Sequence, residues 1–323
     1  MRTPRTRSLT AALLALMMVL AACGDGDNGE AAVDDADEGE ELALDLDTDD
    51  DAVEEEEEDA VEEDDAADEV AFDLTAAVTE YTETIPDGWM FVREVEDFEE
   101  ILATTEPYII DVRTAEEVEE GGVIPGSVNI DLRDLAQNLE AVPTDQPVYV
   151  YCATAWRAGI ATSSLRMLGY DNVEGFSPGA PGWEAAGNEL TMDVEPLGDF
   201  GAPDIEPEFV DAVDGFLTTL PEGYLTYPGA DNALEAQEAG ATLLDIRQPE
   251  NFEEGYVADA LTIPIRDLAA TDELPTDGEI VVYCQTAWRT SLSMPILHLL
   301  GYENARGFPG GFDAWSEAGA EIF

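Results

Sequence analysis

Most of this chain is written twice. IPDGW at 85–89 pairs with LPEGY at 220–224, and YIIDVR at 108–113 pairs with TLLDIR at 242–247. IDLRDLA at 130–136 pairs with IPIRDLA at 263–269, and RMLGYDNVEGF at 166–176 pairs with HLLGYENARGF at 298–308. The offset drifts only from 135 to 132, so the copies differ by a few single-residue insertions or deletions. Internal repetition of this kind sets the architecture before any motif is considered. The 323 residues then divide into a first folded domain at 73–200 and a second at 201–323, joined through the Gly- and Pro-bearing LGDFGAPDIEP.

Within each copy, short apolar runs alternate with helical patterns. In the first copy YIIDV leads to a helical TAEEVEE, SVNI to a helical RDLAQNLEAV, and PVYVY to a helix from about Arg157 to Leu168. Such alternation predicts an α/β fold in which a mostly parallel central sheet is flanked by helices on both faces. The runs VYVY and IVVY are apolar or aromatic at every position, as befits a strand covered on both sides. Each is followed at once by a cysteine, Cys152 or Cys284, and ligands of open α/β sheets sit beyond the carboxyl ends of the strands.

The phrases CATAWR and CQTAWR turn from strand to helix. Amides of the first helical turn have no partner within the helix, and the helix end carries partial positive charge. Arg157 and Arg289, five residues past each cysteine, add full charges. These features predict thiols that ionise below the ~8.5 of free cysteine. Cys152 and Cys284 are thus candidate nucleophiles. Ala153, Thr154, Ala155, Trp156 and Arg157 form one candidate binding cradle, and Gln285, Thr286, Ala287, Trp288 and Arg289 form the other. Thr154 and Thr286 can each give a hydroxyl hydrogen bond to the anion, and Trp156 and Trp288 either wall the pocket or pack on the sheet.

Strand, cysteine, four residues, arginine, helix resembles the active-site loop of the rhodanese family of sulfurtransferases. IIDVR and LLDIR, GVIPGSVNI at 122–130 and GFPGGFDAW at 307–315 resemble further segments of that family. The resemblance implies two tandem rhodanese-like domains. It also implies a cysteine that takes sulfane sulfur from a small anionic donor such as thiosulfate and passes it to a thiol or cyanide, with no cofactor and no metal. Cell-cycle phosphatases of similar fold carry five residues between cysteine and arginine; the four here fit a sulfur-sized anion better. Asp111 and Asp245, at strand ends beside the cysteine loops, are expected to hold those loops by hydrogen bonds. Arg113 and Arg247 are expected to pair with acids such as Glu117 or Glu250. The family often has glycine where Ala155 and Ala287 stand; a positive φ there would cost alanine about 1 kcal/mol. The family also includes non-catalytic binding modules, so a tethered sulfur-sensing or docking unit is the alternative expectation.

Composition limits the partners. Seventy-five acidic residues face 12 arginines, with no lysine, a balance that repels nucleic acid. The one histidine, His298, lies in the apolar run PILHLLG and is expected to pack in a helix. Residues 1–22 carry three arginines and then an apolar core, and LAAC ending at Cys23 resembles a lipoprotein processing site. Lipidation of Cys23 would tether the protein to a bacterial membrane on its extracytoplasmic side. The stretch 23–72 reads as a disordered acidic stalk: 26 of the 47 residues from Gly24 to Val70 are Asp or Glu and none is basic.

Overall fold

The computed structural model describes residues 71–86, 88 and 90–323. Signal segment, Cys23 and most of the acidic stretch lie outside the described residues.

The first repeat runs through α1 (Leu74–Thr84), β1 (Phe91–Val92), α2 (Val95–Thr105), β2 (Tyr108–Asp111), α3 (Ala115–Gly121), β3 (Ser127–Asn129), β4 (Val148–Tyr151), α4 (Ala155–Met167), β5 (Val173–Phe176) and α5 (Gly179–Ala185). The second runs through α6 (Pro207–Thr218), α7 (Ala230–Glu238), β6 (Thr242–Asp245), α8 (Pro249–Phe252), β7 (Leu261–Thr262), β8 (Ile280–Tyr283), α9 (Trp288–Leu299), β9 (Ala305–Gly307) and α10 (Gly311–Glu317). Every strand pair is parallel, in the orders β1-β5-β4-β2-β3 and β7-β6-β8-β9. The strand before each cysteine is therefore internal, bonded on both edges, and all four of its residues are buried in each repeat.

Local chemistry explains the helix starts. Asp73 accepts from the Ala76 amide at the head of α1. Thr114 and Glu117 close a reciprocal capping box at α3. The expected helix RDLAQNLEAV is instead a 3-10 segment over Leu132–Ala141, broken at Asn138 (φ −121°). Asn138 turns its side-chain amide onto the Asp134 carbonyl at 2.7 Å, the kind of local bond that competes with helix continuation. α4 begins at Ala155, two residues earlier than expected, because the Thr154 hydroxyl accepts from the Trp156 amide and caps it.

The largest apolar core draws on both repeats, from Val78 and Tyr81 through Leu165 to Phe216, Leu292 and Ile296. Smaller cores cover the other face of each sheet, around Phe98 and Trp183 in one and Val281 and Trp315 in the other. α4 and α9 pack on each other so closely that a Cβ at Gly159 would stand 1.9 Å from the Ser291 hydroxyl. His298 lies on α9 as expected, partly buried, with Nε2 3.0 Å from the Ala305 carbonyl.

Candidate active site

Each cysteine sits where strand ends and helix begins, fully buried: Cys152 is 0% and Cys284 1% exposed. The Thr154 amide donates to Cys152 Sγ at 3.3 Å, and the amides of Arg157 and Ala158 also point at it. Around Cys284 the Thr286 and Thr290 amides and the Thr290 side chain take the same part. Each thiol in turn donates to the carbonyl two residues on, that of Thr154 or Thr286. Of the expected cradle amides only those of Thr154 and Arg157 in the first repeat and Thr286 in the second point at the sulfur, joined by Ala158 and Thr290 from one residue past each phrase, and the hydroxyl differs as well. Thr154 spends its hydroxyl on capping α4, and in the second repeat Thr290, not Thr286, reaches the sulfur. Thr290 was missed because it falls one residue past the CQTAWR phrase, inside the helix.

The expectation of a lowered thiol pKa is reversed. Burial pushes Cys152 up, and the Arg157 charge with the amides of Ala158, Thr154 and Arg157 only partly offsets it. Burial likewise raises Cys284 against Thr290, Thr286 and Arg289. A fully dehydrated thiolate is disfavoured more than a few oriented donors can repair. Positive φ is absent at Ala155 and Ala287, so alanine carries no strain there.

The ion pairs also depart from expectation. Arg113 pairs with Asp111 (2.5 Å) and donates to the Gly122 carbonyl; Arg247 pairs with Asp245 (2.7 Å) and donates to the Gly255 carbonyl. Asp111 and Asp245 thus hold these arginines, side chain and backbone amide alike, rather than the cysteine loops. Geometry favours this: an Asp two residues before an Arg meets the guanidinium as a fork without spanning the sheet. Glu117 is then left for Arg157, gripping it at 2.5 and 2.7 Å, and those bonds hold its carboxyl down at about 2. The matching position in the second repeat is Asn251. Gln285 donates toward Asp313 at 3.5 Å and offers Oε1 to Arg247 at 3.4 Å, while Ala153 is half-buried on the loop.

Trp156 and Trp288 pack on a sheet, and each packs on the sheet of the other repeat. Trp156 lies against Gly307 of β9 and Trp288 against Gly175 of β5. The Trp288 ring also meets Phe91 at a tilt of 40°, with ring centres 4.2 Å apart. Among the described residues no cluster of His, Cys, Asp or Glu could hold a metal, no helix is long and apolar enough to cross a membrane, and Cys152 and Cys284 are free thiols.

A family model described as a rhodanese-like domain matches residues 94–186 and again 229–318. The chain belongs to the rhodanese-like family, in tandem form. Among curated relatives of this rhodanese-like chain, the uncharacterized protein YqhL of Bacillus subtilis is 40% identical over 75 residues, 23% of this chain and 59% of that protein. A sulfurtransferase of Allochromatium vinosum is 32% identical over 81 residues, 25% of this chain and 76% of that protein. Among solved structures, the 3-mercaptopyruvate sulfotransferase SseA of Escherichia coli aligns over 70% of this chain and 99% of its own, at 20% identity and TM-score 0.35.

Proposed function

We propose that the protein is a sulfurtransferase in which Cys152 and Cys284 each carry sulfur as a persulfide. The thiolate attacks the outer sulfur of an anionic donor such as thiosulfate; the donor's S–S bond breaks and sulfite leaves with the electron pair. The cysteine persulfide then gives its outer sulfur to an attacking thiolate or cyanide, and the cysteine thiolate returns. This is ping-pong covalent catalysis. The observation that carries the reading is the convergence of loop and helix-start amides on each Sγ, which places donors on the sulfur that carries negative charge as it attacks the donor and again as it is released from the persulfide. Membership of a family with sulfurtransferase relatives supports it.

The cups support the reaction class, and thiosulfate is the donor proposed for it. Arg157 and Arg289 supply the charge that favours an anion beside the sulfur. The test is thiocyanate formation from thiosulfate and cyanide by the wild type, Cys152→Ser, Cys284→Ser and the double variant. Each single variant should retain the other site's share, and the double variant should be silent. Unchanged turnover in the double variant would refute the reading.

A second reading, a non-catalytic binding module, draws on the complete burial of both sulfurs. It predicts no turnover with any of the four forms. Lipidation of Cys23 and an extracytoplasmic position complete the proposal, supported by the LAAC sequence after the apolar core. Membrane retention that survives Cys23→Ser would contradict that part.

A further inference from the structure

The sequence repeat pairs IPDGW with LPEGY, and the fold gives this pair a shared place: the described residues of each segment lie beside the cysteine loop of the other repeat. The second repeat's segment Leu220–Leu225 covers the first repeat's loop. The Tyr224 ring faces Arg157 at 5.1 Å and Arg133 at 4.4 Å. Arg133 donates to the Tyr224 hydroxyl at 2.8 Å and to the Leu220 carbonyl at 3.0 Å. Trp156 Nε1 donates to the Tyr224 carbonyl at 2.7 Å. Tyr224 and Leu225 are both left-handed, with φ of 53° and 65°, a conformation that costs a side-chain-bearing residue and persists only where surroundings enforce it. Those surroundings include Arg133 and Trp156 from the first repeat, beside the Gly307 amide of the second, which donates to the Leu225 carbonyl.

The mirror arrangement serves Cys284. Ile85, Pro86, Gly88 and Met90 of the first repeat line a small cavity with Trp288 and Arg289. The Trp288 ring seats in a notch at Gly175, where a Cβ would stand 2.0 Å from the ring. Each tryptophan directly precedes its loop arginine, so the opposite repeat sets the backbone that aims arginine and amides at the sulfur.

We infer that the two cups are cross-assembled: Tyr224 of the second repeat is a positioning residue for the Cys152 site, and Gly175 of the first repeat is a positioning residue for the Cys284 site. The inference rests on the sulfur-carrier reading for its meaning in catalysis, but its test does not need sulfur transfer.

The test alkylates the full chain with iodoacetate and, separately, with iodoacetamide, and follows each cysteine by peptide mass. The two reagents are similar in size, so their rate ratio cancels access and reads the preference of each cup for an anion. Tyr224→Ala, which keeps the carbonyl bonded to Trp156 but removes the ring, should lower the ratio at Cys152 by about threefold, the scale of one lost cation–π contact, and leave Cys284 unchanged. Tyr224→Phe, which keeps the ring, should keep the ratio. Gly175→Ala should lower the ratio at Cys284 and leave Cys152 unchanged. An effect confined to the cysteine of the mutated repeat, equal at both cysteines, or absent from both would overturn the inference. If Gly175→Ala does not fold, the two Tyr224 variants decide alone. Should thiosulfate load neither cysteine, the sulfurtransferase reading fails while a crossed alkylation pattern still upholds the cross-assembly.

Discussion

Cys152 and Cys284 are pulled in opposite directions. Oriented amides and an arginine favour the anion, while full burial disfavours it, and burial wins in both repeats. The resting sites therefore hold thiols. The thiolate fraction rises with pH and reaches half only above the range of free cysteine. Sulfur loading should accordingly speed up steadily from about pH 6 to beyond about pH 8.5, free cysteine's own range. Stopped-flow loading rates measured across that range check this; a rate already flat at neutral pH would show a thiolate stabilised at rest. The reversal was not legible from the phrase CATAWR, because a motif shows donors and charge but not the depth at which they are buried. Cys152 and Cys284 themselves were legible, since each closes an all-apolar strand and opens a helix.

The strand ends show how neighbouring elements are tied. Asp245 at the end of β6 holds Arg247, whose Nη2 donates both to Asp245 and to the Gly255 carbonyl ahead of β7 and whose guanidinium carbon lies 3.9 Å from the centre of the Phe312 ring of α10. Both side chains of the pair are 0% exposed. Asp245→Asn leaves a buried guanidinium without its counter-charge and should destabilise the protein by about 3–5 kcal/mol, read from urea unfolding. A loss under about 1 kcal/mol, the value of an exposed pair, would mean that water reaches Arg247. The pairing of Arg113 with Glu117 expected from sequence failed here for a physical reason. Asp111 is closer along the chain, and Glu117 on α3 faces α4, where Arg157 meets it. The parallel sheet and its helix layers followed from alternation and strand burial, whereas the 3-10 character of Leu132–Ala141 turned on one asparagine that periodicity does not weigh.

The two repeats pack as one unit, and the full chain carries a formal charge of −63. The duplication was plain in the sequence; the exchange of Trp156 and Trp288 between sheets was not, because no periodicity distinguishes a tryptophan seated at home from one seated across an interface. The negative field repels an anionic donor at long range and is screened by salt, with a Debye length near 10 Å at 0.1 M. kcat/KM for thiosulfate should therefore rise with moderate ionic strength. A steady fall with added salt would show that local attraction by Arg157 and Arg289 governs capture instead.

The sulfur-carrier account stands or falls on whether the buried thiols accept sulfur. Intact-protein and peptide mass spectrometry after incubation with excess thiosulfate answers this. The account predicts a gain of one sulfur atom's mass on Cys152 and on Cys284, removed by cyanide as thiocyanate forms. No added sulfur on either cysteine, with the fold intact, would contradict it.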